Sequence, residues 1–164
     1  MMYSSGVNDL LCYGDNRDVV KNVVSCYEKW KEQPREIVND LRGLDIDTQC
    51  MSIFAYLVEH TQYKLDDLGK QYIKSPARLL KDGCGDCKSL TMFIACCLHC
   101  LGIKHIIRFV NYDGGTQFTH VYPIAIDENG KEIILDACET EENGLPIYDY
   151  AREYKRKKEF IYNE

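Results

Sequence analysis

The stretch 90–101, Leu-Thr-Met-Phe-Ile-Ala-Cys-Cys-Leu-His-Cys-Leu, is apolar almost all round when wound as a helix. A helix with one apolar stripe lies on a core, whereas a helix of this kind has to be enclosed by other elements. Gly102 supplies its stop and Asp86 a good N-cap, with Gly83 and Gly85 as a flexible lead-in. Cys87 therefore stands in the first turn, where unpaired backbone N–H groups and the positive end of the helix dipole favour an anion. A cysteine is a nucleophile only as thiolate, so this position has chemical weight.

The elements able to enclose that helix are legible on both sides. Over 17–31, Val19, Val20, Val23, Val24, Cys26, Tyr27 and Trp30 recur at spacings of three and four, which predicts an amphipathic helix. Pro34 opens a short second helix at 35–41, closed by Gly43, and 45–60 forms a third with Met51, Ile53, Phe54, Tyr56, Leu57 and Val58 on its core side. Residues 63–83 are mixed and polar, and Pro76 sets a turn before a short helical piece at 77–81. After Gly102 the pattern turns to strands at 104–112, 118–126 and 132–136, separated by the turns Asp113-Gly114-Gly115 and Asp127-Glu128-Asn129-Gly130. A three-strand antiparallel meander against a buried helix is an α+β arrangement. An acidic loop at 138–146, carrying Glu139 to Glu142, leads to a final helix at 148–162, whose basic run 152–158 reads as a solvated face.

Composition narrows the function classes. The 164 residues, 45% of them hydrophobic, suit one domain over 1–164. A net charge of -6 speaks against a nucleic-acid partner, which would want a basic stripe. No apolar run reaches membrane-spanning length, and the start of the chain lacks a basic segment followed by an apolar one. Nine cysteines without such a leader fit free thiols in a cytoplasmic setting, with no membrane partner.

Two further residues complete a constellation. His120 lies early in the second strand and Asp136 ends the third, and adjacent antiparallel strands run about 4.8 Å apart. With the tight turn at Asn129-Gly130 between them, the two side chains fall roughly opposite one another. A carboxylate then accepts from one imidazole nitrogen while the other faces Cys87.

In these residues the segment 76–138 resembles the transglutaminase-like superfamily of papain-like cysteine enzymes, in its small bacterial and phage-encoded branch. The likeness rests on Gly85-Asp86-Cys87 at a helix start, Ser75-Pro76 ahead of it, Leu101-Gly102-Ile103 with Gly102 fifteen positions after Cys87, and Arg108 soon after. Cys84 does not fit that register. The resemblance implies a papain-like core with N-terminal helices and a central helix packed on an antiparallel sheet. It implies no cofactor and no metal, and a protein or peptide substrate. Cys87 would attack an amide carbonyl, His120 would act as base and then acid, and Asp136 would hold the ring. Water acting on the resulting thioester makes a peptidase or amidase; an amine makes a transglutaminase. The oxyanion would be held by the Cys87 N–H and a second donor, for which Gln71 is the candidate. Tyr122 stands where the family often has tryptophan, and Leu135-Asp136-Ala137 where it has Leu-Asp-Pro; both bear on substrate choice.

Other readings use the same residues. Cys84-x-x-Cys87 and Cys97-x-x-Cys100 have the look of paired zinc knuckles, a reading that requires the helix between them not to exist. Cys84-Gly85-Asp86-Cys87 alone has the form of a redox pair, and a non-enzymatic binding scaffold is the remaining class.

Overall fold

The computed structural model describes residues 10–13, 19–66, 71–138, 140 and 144–163. The chain runs through β1 (Leu10–Tyr13), α1 (Val19–Trp30), α2 (Ile46–His60), β2 (Gln62–Tyr63), β3 (Gln71–Lys74), α3 (Pro76–Asp82), β4 (Cys84–Gly85), α4 (Cys87–Cys100), β5 (His105–Asn111), β6 (His120–Ile126), β7 (Glu132–Ile134) and β8 (Arg156–Tyr162). Four strands form an antiparallel sheet in the order β7-β6-β5-β8. This is the expected α+β architecture, with helices grouped early and a central helix laid on the sheet.

α4 is the buried helix that its composition demands: every residue from Lys88 to Leu98 is buried. On one side Met92, Ala95 and Cys96 pack with Val23, Tyr27 and Trp30 of α1 and with Ile107, Phe109 and Val121 of the sheet. On the other, Phe93, Ile94, Cys97 and Leu98 meet Ile53, Phe54 and Leu57 of α2, Leu79 of α3, and Ala125, Ile133 and Leu135. Each large apolar side chain so enclosed contributes on the order of 1.5–3 kcal/mol. The helix is held from all sides, so its N-terminus is a fixed point in the molecule.

Three expectations are corrected. The segment 35–41 is a run of turns ending in a single 3-10 turn, Asn39–Leu41. Its bonds mix the two helical spacings (Val38 N to Pro34 O, Asn39 N to Glu36 O), and Ile37 and Val38 turn into the core instead of continuing an amphipathic stripe. Secondly, the polar stretch 63–83 carries the strand β3 and is bounded by two shorter ones, β2 at its start and β4 just after it. β3 pairs antiparallel with β1, and β4 pairs parallel with β2.

The third correction is the C-terminus, where the expected helix over 148–162 is replaced by β8, which pairs with the whole length of β5. Every residue of β5 is buried, and a buried strand cannot leave one side of its ladder without partners. β8 supplies them. Phe160 packs edge-on to Phe109 and Tyr162 stacks on His105, while Arg156, Lys157 and Lys158 face solvent at what becomes the sheet edge. Charged residues on an edge strand discourage further pairing. The acidic loop expected at 139–142 lies outside the described residues, Thr140 apart.

Candidate active site

The approach to Cys87 is built one residue at a time. Ser75 caps α3 by accepting from Arg78 N at 3.2 Å, and Gly83 ends that helix in the left-handed region at φ 70°. The chain then pairs with β2, through Gln62 N to Gly83 O at 2.9 Å and Lys64 N to Gly85 O at 2.8 Å. At Gly85 a Cβ would lie 2.8 Å from Leu79 Cδ1 and 2.9 Å from Ser89 Cβ, so only glycine passes here. Asp86 caps α4, its Oδ1 accepting from Lys88 N at 3.0 Å. Cys87 is the first helical residue.

Next to the thiol lies a buried ion pair that the sequence reading passed over. Lys88 Nζ bonds Asp86 Oδ2 and lies 3.6 Å from Asp66 Oδ2. Burial works against the ammonium, but Asp86, with Asp66 and Cys87 adding to it, holds Lys88 above the ordinary lysine value. An ion pair and a helix N-terminus thus stand beside one sulfur.

His120 is brought to this point by a tie between helix and sheet. Thr91, one turn beyond Cys87, donates from Oγ1 to the backbone O of Val121 at 3.1 Å, which pins the start of α4 to the start of β6. His120 Nε2 lies 2.7 Å from Asp136 Oδ2, with the two side chains 11% and 1% exposed. Asp136 Oδ1 accepts from Cys138 N at 3.0 Å, so both carboxylate oxygens are engaged. Burial lowers the imidazole pKa, but bonding and charge from Asp136, and then from Cys87, outweigh it and raise His120 to about 10. The ring is therefore cationic at neutral pH, between a carboxylate and a sulfur.

The register differs in detail from the expected face-to-face meeting. β6 and β7 pair Ile124 with Ile134, which by continuation sets Tyr122, not His120, opposite Asp136. The contact is diagonal, and the chain has left the ladder by Asp136.

Tyr122 is fully buried, does not line the cleft, and lies beside the imidazole with ring centroids 5.7 Å apart. Its hydroxyl accepts from Arg108 Nη1 at 3.4 Å, and Arg108 also pairs with Glu159 at 2.7 Å and Glu132 at 3.0 Å, which fastens β8 and β7 to the central strands. Tyr112 lies near the same imidazole, with centroids 6.0 Å apart and planes at 30°. Gln71 opens β3 opposite Tyr13, and its side chain is outside the described residues.

Cys87 and His120 share a cleft of about 230 Å³. Its walls combine Val19, Leu65, Phe109, Phe118 and Val121 with the polar Tyr63, Gln117 and Thr119. Tyr63 escaped the sequence reading because its position depends on β2, a strand of two residues. Among the described residues no helix is long and apolar enough to cross a membrane.

The paired zinc-knuckle pattern is set apart by the same geometry. α4 is unbroken from Cys87 to Cys100, so Cys87 and Cys97 stand about 15 Å apart along its axis, too far for one tetrahedral ion. Cys96 and Cys97 are enclosed in the core, where burial pushes their thiols well above the ordinary value. Cys84 and Cys87 are both free thiols, and Lys74 Nζ donates to the Cys84 backbone O at 2.7 Å.

No family model and no curated protein matches the chain. Solved structures do. A candidate protease from Parabacteroides distasonis aligns with a TM-score of 0.59 at 11% identity, over 76% of this chain and 27% of that one. LapG of Legionella pneumophila, calcium-bound, aligns at 0.51 and 18% identity, over 80% of this chain and 83% of that one. A candidate cysteine protease from Cytophaga hutchinsonii aligns at 0.50 and 12% identity over 80% of this chain, which spans half the length of that protein. The likeness is one of fold: an α+β core of the papain-like, transglutaminase-like kind, with its central helix on an antiparallel sheet.

Proposed function

We propose that the protein is a cysteine-dependent acyl-transfer enzyme that cleaves amide bonds in a protein or peptide, a peptidase or amidase working through Cys87, His120 and Asp136. The observation that carries this reading is the hydrogen-bonded His120–Asp136 pair opening onto the cleft that holds Cys87 at a helix start. The naming of two solved proteins of this fold as candidate proteases agrees with it.

In this reading the Cys87 thiolate adds to the carbonyl carbon and His120 passes its proton to the departing nitrogen. Water, activated by the now neutral imidazole, then hydrolyses the thioester. Exposed Leu65, Gln117 and Thr119 on the cleft wall leave that water a way in, which favours hydrolysis over transfer to an amine. Asp136 keeps the ring oriented throughout.

The test is a panel of protein and peptide amides with mass analysis of the trapped enzyme. An acyl adduct on Cys87 is expected, with turnover abolished in Cys87→Ala and in His120→Ala while circular dichroism is unchanged. Retained turnover in either variant would end the assignment. Cys84→Ser is expected to keep full activity; its loss would move the chemistry to the Cys84–Cys87 pair.

A further inference from the structure

We propose that Tyr63 supplies the second hydrogen bond to the oxygen of the attacked carbonyl, alongside the backbone N–H of Cys87. The inference rests on the reading of Cys87 as nucleophile and names a residue that reading does not assign.

When sulfur adds to a carbonyl, the S–C bond forms and the π pair moves onto oxygen. That oxygen needs preorganised donors about 2.7–3.1 Å away. The first N–H groups of a helix have no partner within the helix, so Cys87 brings one donor of its own. The leaving nitrogen has to face His120, which gives it a proton. The oxygen, on another bond of the same carbon, therefore turns away from the imidazole.

Among the described residues on the cleft wall, the polar side chains other than His120 are Tyr63, Asp86, Lys88, Gln117 and Thr119. Asp86 and Lys88 are committed to each other. Gln117 and Thr119 belong to the connection that ends at His120, and so travel with the imidazole and not with the strand that leads into α4. Tyr63 comes from a separate element: β2 pairs it with Gly85, two residues before Cys87, and the bond from Lys64 N to Gly85 O fixes that register. At 46% exposure its ring stands on the open wall of the cleft.

The phenol is a donor over the whole working range. Partial burial against the cleft first, and then the electrostatic influence of Cys87, Cys138, Asp86 and Asp136, raise its pKa above the ordinary tyrosine value. That Cys87 and Asp136 both act on this hydroxyl places it within their field. As the tetrahedral species collapses, the oxygen's pair re-forms C=O, the C–N bond breaks and His120's proton leaves on nitrogen. Tyr63 keeps its own proton throughout.

Two reagents separate this role from the others. 4-Nitrophenyl acetate acylates the thiol through an oxyanion, whereas iodoacetamide alkylates it at a saturated carbon and develops none. In Tyr63→Phe the acylation burst is expected to slow about 100-fold, with Cys87 alkylation held to within about twofold of the wild type. Equal slowing of both reactions, or of neither, overturns the role of Tyr63. A wild-type protein with no burst and no preferential alkylation of Cys87 overturns the underlying assignment instead.

Discussion

Asp136 Oδ2 takes its hydrogen bond from His120 Nε2 at 2.7 Å across a diagonal of the sheet, sixteen residues apart in sequence. The position costs Asp136 its place in the ladder and gives it a second bond, from Cys138 N. A buried carboxylate with both oxygens occupied is a fixed charge. It fixes which nitrogen of the imidazole remains for the sulfur, and it is the largest influence raising the ring's pKa.

Asp136→Asn therefore has a readout beyond lost rate. With His120 raised to about 10, the alkaline limb of the kcat/KM profile is expected near that pH. Removing the charge lowers the imidazole pKa, so the limb moves to lower pH by about one to three units. The pH dependence of Cys87 alkylation by iodoacetamide reports the same shift without any substrate. An unmoved limb would mean that another group sets it.

Gly85→Ala tests the close approach beneath the cysteine. The added carbon meets Ser89 Cβ at 2.9 Å on a buried, capped helix that has no room to yield. Overpacking of this kind costs about 1–3 kcal/mol, measurable by urea denaturation. Because β4 feeds directly into the first turn of α4, alkylation of Cys87 is expected to slow in the same variant. Unchanged stability would show that the helix yields to the added carbon.

The sequence carried the central helix and its cap because those signals are local: an apolar run, a glycine stop and an aspartate just ahead. It carried Cys87, His120 and Asp136 because two turns with strong glycine signals hold the second and third strands near their expected bounds. β8 was missed since the charged run Arg156-Lys157-Lys158-Glu159 reads as a solvated face, and what decides the matter is the need of β5, far away in sequence, for a partner. β2 and β4 are two residues each, too short for any periodicity, and with them went Tyr63. Lys88 gave no local signal, for its burial follows from the cap geometry of Asp86 and the approach of Asp66.

That ion pair gives a sharp stability test. Lys88→Met leaves the Asp86 carboxylate buried without its cation, a change expected to cost about 3–5 kcal/mol. Adding Asp86→Asn removes the orphaned charge while keeping an oxygen for Lys88 N, now the backbone of Met, and recovers most of the loss. A double variant no better than the single one would place the cost in packing.

The pH dependence of stability follows from two buried histidines shifted in opposite directions. His105 is fully buried, with Nδ1 donating to Ile103 O at 2.8 Å and Nε2 accepting from Tyr27 Oη at 2.9 Å. Burial lowers its pKa to about 4. Between about 4 and 6.5 the unfolded chain binds the proton that the folded one refuses, so stability is lost as pH falls through that window, by an amount of the order of 3 kcal/mol. His120, raised to about 10, does the reverse: its contribution is whole below 6.5 and drains away as pH rises toward 10. Above 9 the buried thiols Cys26 and Cys100, raised to about 11, add to that decline. Urea midpoints measured across the range are therefore expected to peak near pH 6.5, the ordinary histidine value. His105→Asn flattens the acid side alone and His120→Ala the alkaline side between 6.5 and 9 alone. A single substitution that flattens both sides would mean that the two imidazoles do not titrate independently.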